Sequence, residues 1–181
     1  LWRKVEGKYS ALTWKETQQK VNVIAKGLLN LGILKGDRVV ILSENRPEWQ
    51  IADLAIMTIG GITVPAYTTS TTSDYQHIIN HSEARCIIIS SEDLASKAIP
   101  AVLKSNKCKN VIMINEVKEK NNVPLNFASW NNLILENDRL ESEEIDLQKN
   151  IKLQKRTDTA CIIYTSGTGG SPKGVMLSHG A

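Results

Sequence analysis

The fold is decided by GDRVVILSENRPEWQIADLAIMTIGGITVPAY, residues 36–67, in which two apolar runs flank a helical pattern. The first run, residues 38–43, is β-branched and apolar on both faces, which is typical of a strand covered by helices on each side. Residues 45–48 (NRPE) predict the start of a helix, and the glycines at 60–61 predict its end. The second run is a strand candidate limited by Pro65. Consecutive strands joined by a helix are expected to lie parallel.

The alternation continues upstream of this unit. Thr13 and Glu16 form a Thr-x-x-Glu capping box, which predicts the start of a helix. Gly32 offers a left-handed residue that would end it. Residues at helical spacing predict its buried stripe: Trp14, Gln18, Val21, Ala25 and Leu28.

Downstream, the same alternation extends to residue 137. A short helix is expected from Ser73-Asp74 to His81, and a second helix, EDLASKAIPAVLKS, is expected to be interrupted at Pro100. Apolar runs predict two strands, RCIIIS and NVIMI, and FASWNNLILEN is predicted as a helix. The polar segments 115–122 and 136–144 are interpreted as surface loops. The chain is therefore predicted to have an α/β fold with a mostly parallel sheet flanked by helices.

Composition restricts the classes of function. The net charge of +3 is small and dispersed, and the 181 residues include only four Trp, four Tyr and one Phe, which argues against binding of nucleic acid. No apolar run approaches the roughly 20 residues of a membrane span. Three cysteines without metal-ligand spacing favour a reducing cytoplasm. The chain lacks an initiator Met and a signal-peptide pattern, and both ends are interpreted as cuts in a longer protein.

The stretch YTSGTGGSPKGVMLSH, residues 164–179, carries the chemistry. Residues 166–173 are predicted to form a loop between two strands, and the sequence is not a Walker A motif because Pro172 precedes Lys173 and the following residues are strand-like. The components that suit phosphate are three glycines that can turn backbone N–H groups toward one point, three hydroxyls and one cation: Gly167, Gly169, Gly170, Thr165, Ser166, Thr168 and Lys173. A flexible Gly/Ser-rich hairpin with an exposed lysine is the alternative interpretation.

The order of these residues resembles the signature loop of the AMP-forming acyl-CoA synthetases, in the adenylate-forming superfamily. That loop usually reads Thr-Ser-Gly-Thr-Thr-Gly-x-Pro-Lys-Gly, and Gly169 stands here in place of the second Thr. The resemblance covers nearly the whole chain and is weakest in residues 92–154. Within the superfamily, SENRPEW and VPAYTTSTTSDY look most like long-chain fatty-acid CoA ligases.

The resemblance implies an activity and a place in a larger protein. Residues 1–181 would be part of the large amino-terminal domain of an AMP-dependent synthetase, ending just after the glycine-rich loop, without the carboxy-terminal domain. In such enzymes a carboxylate attacks the α-phosphorus of ATP to give an acyl-adenylate and pyrophosphate, and the thiol of coenzyme A then displaces AMP. The adenine, ribose, acyl and coenzyme A sites would lie beyond this segment, which alone is expected to be inactive.

The resemblance also assigns roles to the loop. Lys173 would stabilise charge on the phosphates during catalysis. The β- and γ-phosphates of ATP would be held by Ser166, Gly167, Thr168, Gly169, Gly170 and Lys173, and Thr165 would contact Mg²⁺ or a phosphate oxygen. The expected partners are fatty acid, ATP and coenzyme A, with at most peripheral membrane contact in the cytoplasm, and the oligomeric state stays open.

Several other interpretations stay open. The intact protein could adenylate another carboxylate, such as an aryl, short-chain or amino acid, or it could be a noncatalytic nucleotide-binding or scaffold protein. His77 and His81 are four residues apart on a predicted helix, but Ile78 stands where a zinc-protease motif has Glu, and no third ligand is evident. Trp14 and Trp49 are interpreted as core residues.

Overall fold

The structure, a computed structural model, describes residues 1–5, 7–115, 123–138, 146–166 and 170–181. Its strands are β1 (Trp2–Val5), β2 (Lys8–Ala11), β3 (Arg38–Leu42), β4 (Ile62–Ala66), β5 (Cys86–Ile89), β6 (Asn110–Met113), β7 (Asn126–Ser129), β8 (Thr159–Thr165) and β9 (Lys173–Ser178). Its helices are α1 (Trp14–Asn30), α2 (Pro47–Thr58), α3 (Thr72–His81), α4 (Glu92–Leu103), α5 (Trp130–Asp138) and α6 (Leu147–Lys152). The loops predicted at 115–122 and 136–144 lie largely outside the described residues.

The described strands form one large sheet and one small one. The large sheet has seven strands in the order β7-β6-β5-β3-β4-β8-β9, and every neighbouring pair is parallel except β8 and β9. The predicted α/β fold with a mostly parallel sheet is therefore confirmed. Strands β1 and β2 form a separate antiparallel pair that the sequence patterns did not predict.

The centre of the sheet is buried on both faces, as the apolar strands predict. In β3, Val39 to Leu42 are at most 1% exposed. Val40 and Leu42 contact the core that packs against α3 and α4, whereas Val39 and Ile41 contact the core on the α1 and α2 side. Full burial of such a side chain stabilises the fold by about 1.5–3 kcal/mol. The alternation of side chains along a strand thus joins two cores through one sheet.

Helix α1 begins as predicted, but its buried stripe begins later. The Thr13 hydroxyl caps the Glu16 N–H, and the Glu16 carboxylate accepts from the Thr13 N–H, which confirms the capping box. Trp14 is 79% exposed, so its predicted place in the core is wrong, and Gln18 is also exposed. Side chains of a helix lean toward its amino terminus, so the first helical residue points past the core. Thr17 begins the buried face instead.

Helix α4 runs through Pro100, and the predicted interruption is wrong. Proline removes one N–H from the helix, which leaves the carbonyl of Ser96 without its usual donor. Both residues are exposed, so water can bond that carbonyl. The opposite face of the helix remains buried through Ile99 and Val102. Packing of this apolar face therefore outweighs the loss of one hydrogen bond.

Three other boundaries differ from the sequence expectations. Helix α3 begins one residue early, because Thr71 forms a capping box with Asp74. Strand β4 continues through Pro65 in register with β3. Residues 127–129, predicted as helix, belong to β7, because Asn126 to Ser129 pair with the edge of β6. That pairing depends on contacts distant in sequence, which override local helix preference.

Candidate functional site

The glycine-rich segment connects two antiparallel strands. Strand β8 pairs with β9 so that Thr165 lies opposite Lys173 and Tyr164 lies opposite Gly174. Lys173 is therefore the first residue of β9, and its predicted place inside the loop is corrected by one residue. Strand pairing begins again as soon as the returning chain lies opposite Thr165. A hydroxyl and a cation consequently flank the mouth of the hairpin.

This mouth lies at the carboxyl ends of the parallel strands, where ligands commonly bind. Strands β3 to β8 run parallel, so the end of β8 at Thr165 is on the same edge as the carboxyl ends of its neighbours. In open α/β sheets, ligands bind outside the carboxyl ends of the strands. The predicted phosphate loop follows directly from this edge. Its position suits the binding of a small molecule.

The predicted site residues are only partly within the described chain. Thr165, Ser166, Gly170 and Lys173 are all exposed. Gly170 has a φ of +102°, which L side chains rarely adopt, so a glycine is needed there for backbone conformation. The remaining predicted phosphate ligands lie outside the described residues: Gly167, Thr168 and Gly169. The Lys173 ammonium makes no ion pair with any residue that the structure describes.

Two histidines of α3 contact the hairpin beside its loop. His77 Nε2 lies 2.8 Å from the carbonyl oxygen of Pro172, and His81 Nδ1 lies 2.7 Å from the hydroxyl of Tyr164. The two imidazoles stack with ring centroids 5.3 Å apart, and the Tyr164 ring meets both edge-on. Tyr164 is buried, and burial raises the pKa of its hydroxyl. We call His77, His81 and Tyr164 the histidine clamp.

The clamp was missed by sequence reasoning, which considered these histidines only as metal ligands. Their spacing of four residues correctly placed them on one helix face. The sequence carried no signal that this face meets the hairpin. One ring nitrogen of each is engaged, His77 Nε2 by Pro172 and His81 Nδ1 by Tyr164. Among the residues with described positions, no group of three or more His, Cys, Asp or Glu side chains could hold a metal ion.

A cluster of polar side chains lies at the same end of the sheet, just after β3, β5 and β6. The Ser90 hydroxyl donates to the Glu44 carboxylate at 2.6 Å, and this bond holds the pKa of Glu44 below its usual value. Arg46 bonds both Glu48, at 2.8 Å, and the Asn115 side chain, at 3.0 Å. The bonds form two sets, Ser90 with Glu44 and Arg46 with Glu48 and Asn115. The cluster therefore fixes the loops that follow the strands.

Cys161 lies on β8, one of the two strands of the hairpin, and has the properties of a neutral thiol. Burial raises its pKa, and the nearby Asp53 adds to this effect. Thiolate is the nucleophilic form of cysteine. Cys86, Cys108 and Cys161 are all free, and burial raises the pKa of Cys108 to about 12.

No helix in the described ranges is both long and apolar enough to cross a membrane.

Comparisons with known proteins give the family. The family model described as AMP-binding enzyme matches residues 2–181. The chain is 33% identical over 182 residues to the long-chain-fatty-acid–CoA ligase FadD15 of Mycobacterium tuberculosis, covering 98% of this chain and 28% of that protein. It is 32% identical over 178 residues to the long-chain-fatty-acid–CoA ligase ACSBG2 of Mus musculus, covering 95% of this chain and 25% of that protein. The chain thus spans only about a quarter of the length of these relatives.

Solved structures share the fold. The anthranilate CoA ligase AuaEII, in complex with anthranoyl-AMP, superposes with a TM-score of 0.76 and 22% identity, covering 97% of this chain and 31% of that one. The A domain of carboxylic acid reductase from Segniliparus rugosus, in complex with AMP and a co-purified carboxylic acid, gives a TM-score of 0.79 and 15% identity, covering 95% and 29%. With the family match across residues 2–181, these findings lead to one conclusion: the chain belongs to the family of AMP-binding, adenylate-forming enzymes.

Proposed function

We propose that the chain is the amino-terminal segment of an ATP-dependent acid–thiol ligase. The intact protein activates a long-chain fatty acid as an acyl-adenylate and transfers the acyl group to coenzyme A. The observation that carries the proposal is the pairing of Thr165 with Lys173 at the mouth of a glycine-rich hairpin, on the ligand-binding edge of the sheet. Membership of the family supports ATP as the nucleotide substrate.

The hairpin supplies charge and hydrogen-bond donors to the phosphates. An ionised carboxylate needs no general base to attack the α-phosphorus, so the protein mainly positions the reactants and neutralises charge. In this proposal Lys173 and the backbone N–H groups of residues 166–170 hold the β- and γ-phosphates. The Lys173 ammonium acts as a point charge beside the leaving pyrophosphate. Thr165 and Lys173 are exposed, so the phosphates can reach them.

Magnesium fits the hairpin only as an ion that arrives with the nucleotide. Mg²⁺ takes oxygen ligands, keeps several waters, and usually binds through one or two carboxylates together with substrate phosphates. Thr165 offers one hydroxyl oxygen at the strand end. When bound, Mg²⁺ neutralises phosphate charge. Thr165 would therefore contact either the ion or a phosphate oxygen.

The substrate class rests on the relatives. FadD15 and ACSBG2 are named as long-chain-fatty-acid–CoA ligases, which favours a long acyl chain and coenzyme A as co-substrate. AuaEII, an anthranilate CoA ligase, illustrates the aryl alternative on the same fold. Short-chain and amino acids are further alternatives. A noncatalytic nucleotide-binding or scaffold protein is the alternative outside enzymes.

Substitution of Lys173 in the complete protein tests the phosphate role. We expect Lys173→Ala to slow ATP–pyrophosphate exchange roughly 10²- to 10³-fold, the loss typical of one charge-stabilising donor. Lys152→Ala, which removes an exposed lysine from α6, is the matched control and should leave exchange unchanged. Normal exchange by Lys173→Ala would contradict the proposal.

Substrate profiling separates the remaining alternatives. Acyl-CoA formation by the complete protein is measured with long-chain fatty acids, acetate, benzoate and amino acids. The proposal expects turnover to be fastest with long-chain acids. Faster turnover of another acid would favour that carboxylate, and nucleotide binding without turnover of any acid would favour the scaffold alternative.

Two further expectations concern the segment and its location. The 181-residue chain alone should form no acyl-adenylate, because it spans about a quarter of the length of its relatives. Detectable turnover by this chain would contradict that expectation. The free cysteines support a cytoplasmic protein, with at most peripheral contact at the inner face of a membrane.

A further inference from the structure

The two histidines of the clamp contact the hairpin on both sides of its loop. His81 contacts Tyr164, which immediately precedes Thr165 on β8, and His77 contacts Pro172, which immediately precedes Lys173 on β9. Thr165 and Lys173 are the paired residues at the mouth of the hairpin. One helix face therefore contacts the chain at both ends of the loop.

The contact with Pro172 requires a proton on one nitrogen of the His77 imidazole. A carbonyl oxygen can only accept a hydrogen bond, so His77 Nε2 must carry the proton in the 2.8 Å contact. In the neutral ring, Nδ1 is then the unprotonated nitrogen. The structure thus assigns a specific tautomer to His77.

Pro172 transmits this contact to Lys173. Proline has no N–H, so its carbonyl is its only backbone hydrogen-bonding group. That carbonyl belongs to the planar peptide unit that contains the Lys173 nitrogen. A hydrogen bond to the carbonyl therefore restricts the orientation of the peptide from which the Lys173 side chain projects.

Helix α3 is a firm support for the clamp. A capping box at Thr71 and Asp74 fixes its start. Tyr75, Ile78 and Ile79 anchor its buried face, and the Tyr75 hydroxyl donates to the Tyr67 carbonyl at 2.9 Å. The other face borders an open groove of about 610 Å³. His77 lines this groove, so its side chain can be replaced without opening the core.

We propose that His77 is a positioning residue for adenylation: its Nε2–H holds the Pro172 carbonyl and thereby orients Lys173 toward the phosphates of ATP. This inference rests on the proposed function, because it requires that Lys173 bind those phosphates. His81 and Tyr164 support the His77 ring by stacking and edge contact. His77 itself does not touch the reacting atoms.

A pair of variants of similar length isolates the hydrogen bond. His77→Gln retains an N–H donor, whereas His77→Met fills the same space without one. In the complete protein, His77→Met should slow ATP–pyrophosphate exchange roughly three- to tenfold, the effect of losing one neutral hydrogen bond. His77→Gln should stay within about twofold of wild type by the same reasoning. Asn80→Ala, an exposed change one helical turn along α3, is the control and should have no effect.

The second half-reaction distinguishes positioning from a general structural role. Transfer of the acyl group from added acyl-adenylate to coenzyme A should be unchanged in His77→Met, because ATP phosphates take no part in it. The thermal unfolding midpoint is measured in parallel. Equal loss of both half-reactions without rescue by His77→Gln would overturn the proposal, as would normal exchange by His77→Met.

A spectroscopic measurement needs no active variant. In the complete protein labelled with ¹⁵N-histidine, the His77 signal, assigned by its loss in His77→Gln, should show a protonated Nε2 and an unprotonated Nδ1. A protonated Nδ1 with an unprotonated Nε2 would overturn the inference even if His77→Met failed to fold. Lys173→Ala, tested alongside, separates this failure from that of the proposed function: slow exchange by Lys173→Ala with normal exchange by His77→Met would refute only the role of His77.

Discussion

The centre and the edge of the large sheet are held in different ways. At the centre, β3 pairs along its length with β4 and β5, and its apolar side chains are buried on both faces. Toward the edge, β8 lies parallel to β4, with Thr63 in register with Cys161, and pairs on its other side with the antiparallel β9. Beyond it, β9 exposes much of its apolar surface, including Met176 at 70%. Apolar burial is concentrated at the centre, and the candidate ligand site lies beside more exposed strands.

This difference suggests a division of labour. Binding residues commonly lie on segments that a rigid scaffold positions. Here the parallel strands provide the scaffold, and the hairpin provides the loop. The two histidines of the clamp attach α3 to Tyr164 on β8 and to Pro172 in the loop before β9. Three substitutions test this contrast through the free energy of unfolding.

The largest expected effect is at the centre. Ile41 is fully buried in β3, so Ile41→Ala should lower the free energy of unfolding by about 2–5 kcal/mol through lost burial and a cavity. Met176→Ala on β9 removes an exposed side chain of similar size and should change it by at most about 0.5 kcal/mol. Urea denaturation of the 181-residue chain measures both. Equal losses would remove the contrast between centre and edge.

A smaller effect is expected at one tightly packed position of the hairpin. A Cβ at Gly174 would lie 2.7 Å from the Cγ2 of Ile162 and 3.3 Å from the Tyr164 ring, so neighbouring atoms must move. Gly174→Ala should cost about 1–3 kcal/mol by overpacking. Val175→Ala, at the adjacent exposed position, serves as its control. A neutral Gly174→Ala would show that the hairpin adjusts more freely than this packing indicates.

The smallest effect concerns Asp53, on α2 near the junction of centre and edge. Burial raises its pKa above the usual 3.8, so the folded state retains a proton that the unfolded chain releases. Stability from this group should therefore fall as pH rises through the interval between the unfolded and folded pKa values. Asp53→Asn should be more stable than wild type at pH 7, and the difference should shrink toward pH 4. Denaturation curves across pH 4–8 check this, and a gain that grows toward low pH would contradict it.

Much of the fold could be predicted from the sequence because its signals are local. Buried parallel strands such as β3 and β5 are apolar throughout, and the capping box at Thr13 marks a helix start without reference to the rest of the chain. Strand β7 could not be predicted in this way. Its four residues become a strand because they pair with β6, and Asn126 Nδ2 donates to the Asn110 side chain at 3.2 Å. A pairing of distant segments has no local signature.

The candidate site divides in the same manner. The order of glycines, hydroxyls and Lys173 is contained in one short stretch, so the hairpin could be predicted from residues alone. The histidine clamp joins residues 77 and 172, which are far apart in sequence. Predicting it requires knowing which face of α3 packs against the hairpin. Lys173 is predicted as the last residue of the loop but is the first residue of β9. This difference likewise depends on which residues of β8 and β9 pair.

The pairing of β8 with β4, which places Thr63 in register with Cys161, also bears on how the chain folds. These residues are about a hundred positions apart, so the chain between them must close, at an entropic cost, before their contacts form. The β8–β9 hairpin can form early from neighbouring residues, but its docking against β4 should be among the last steps. During synthesis, the ribosome would release β3 to β6 well before the segment that carries Lys173. The glycine-rich loop would thus gain its final orientation only after the rest of the sheet is complete.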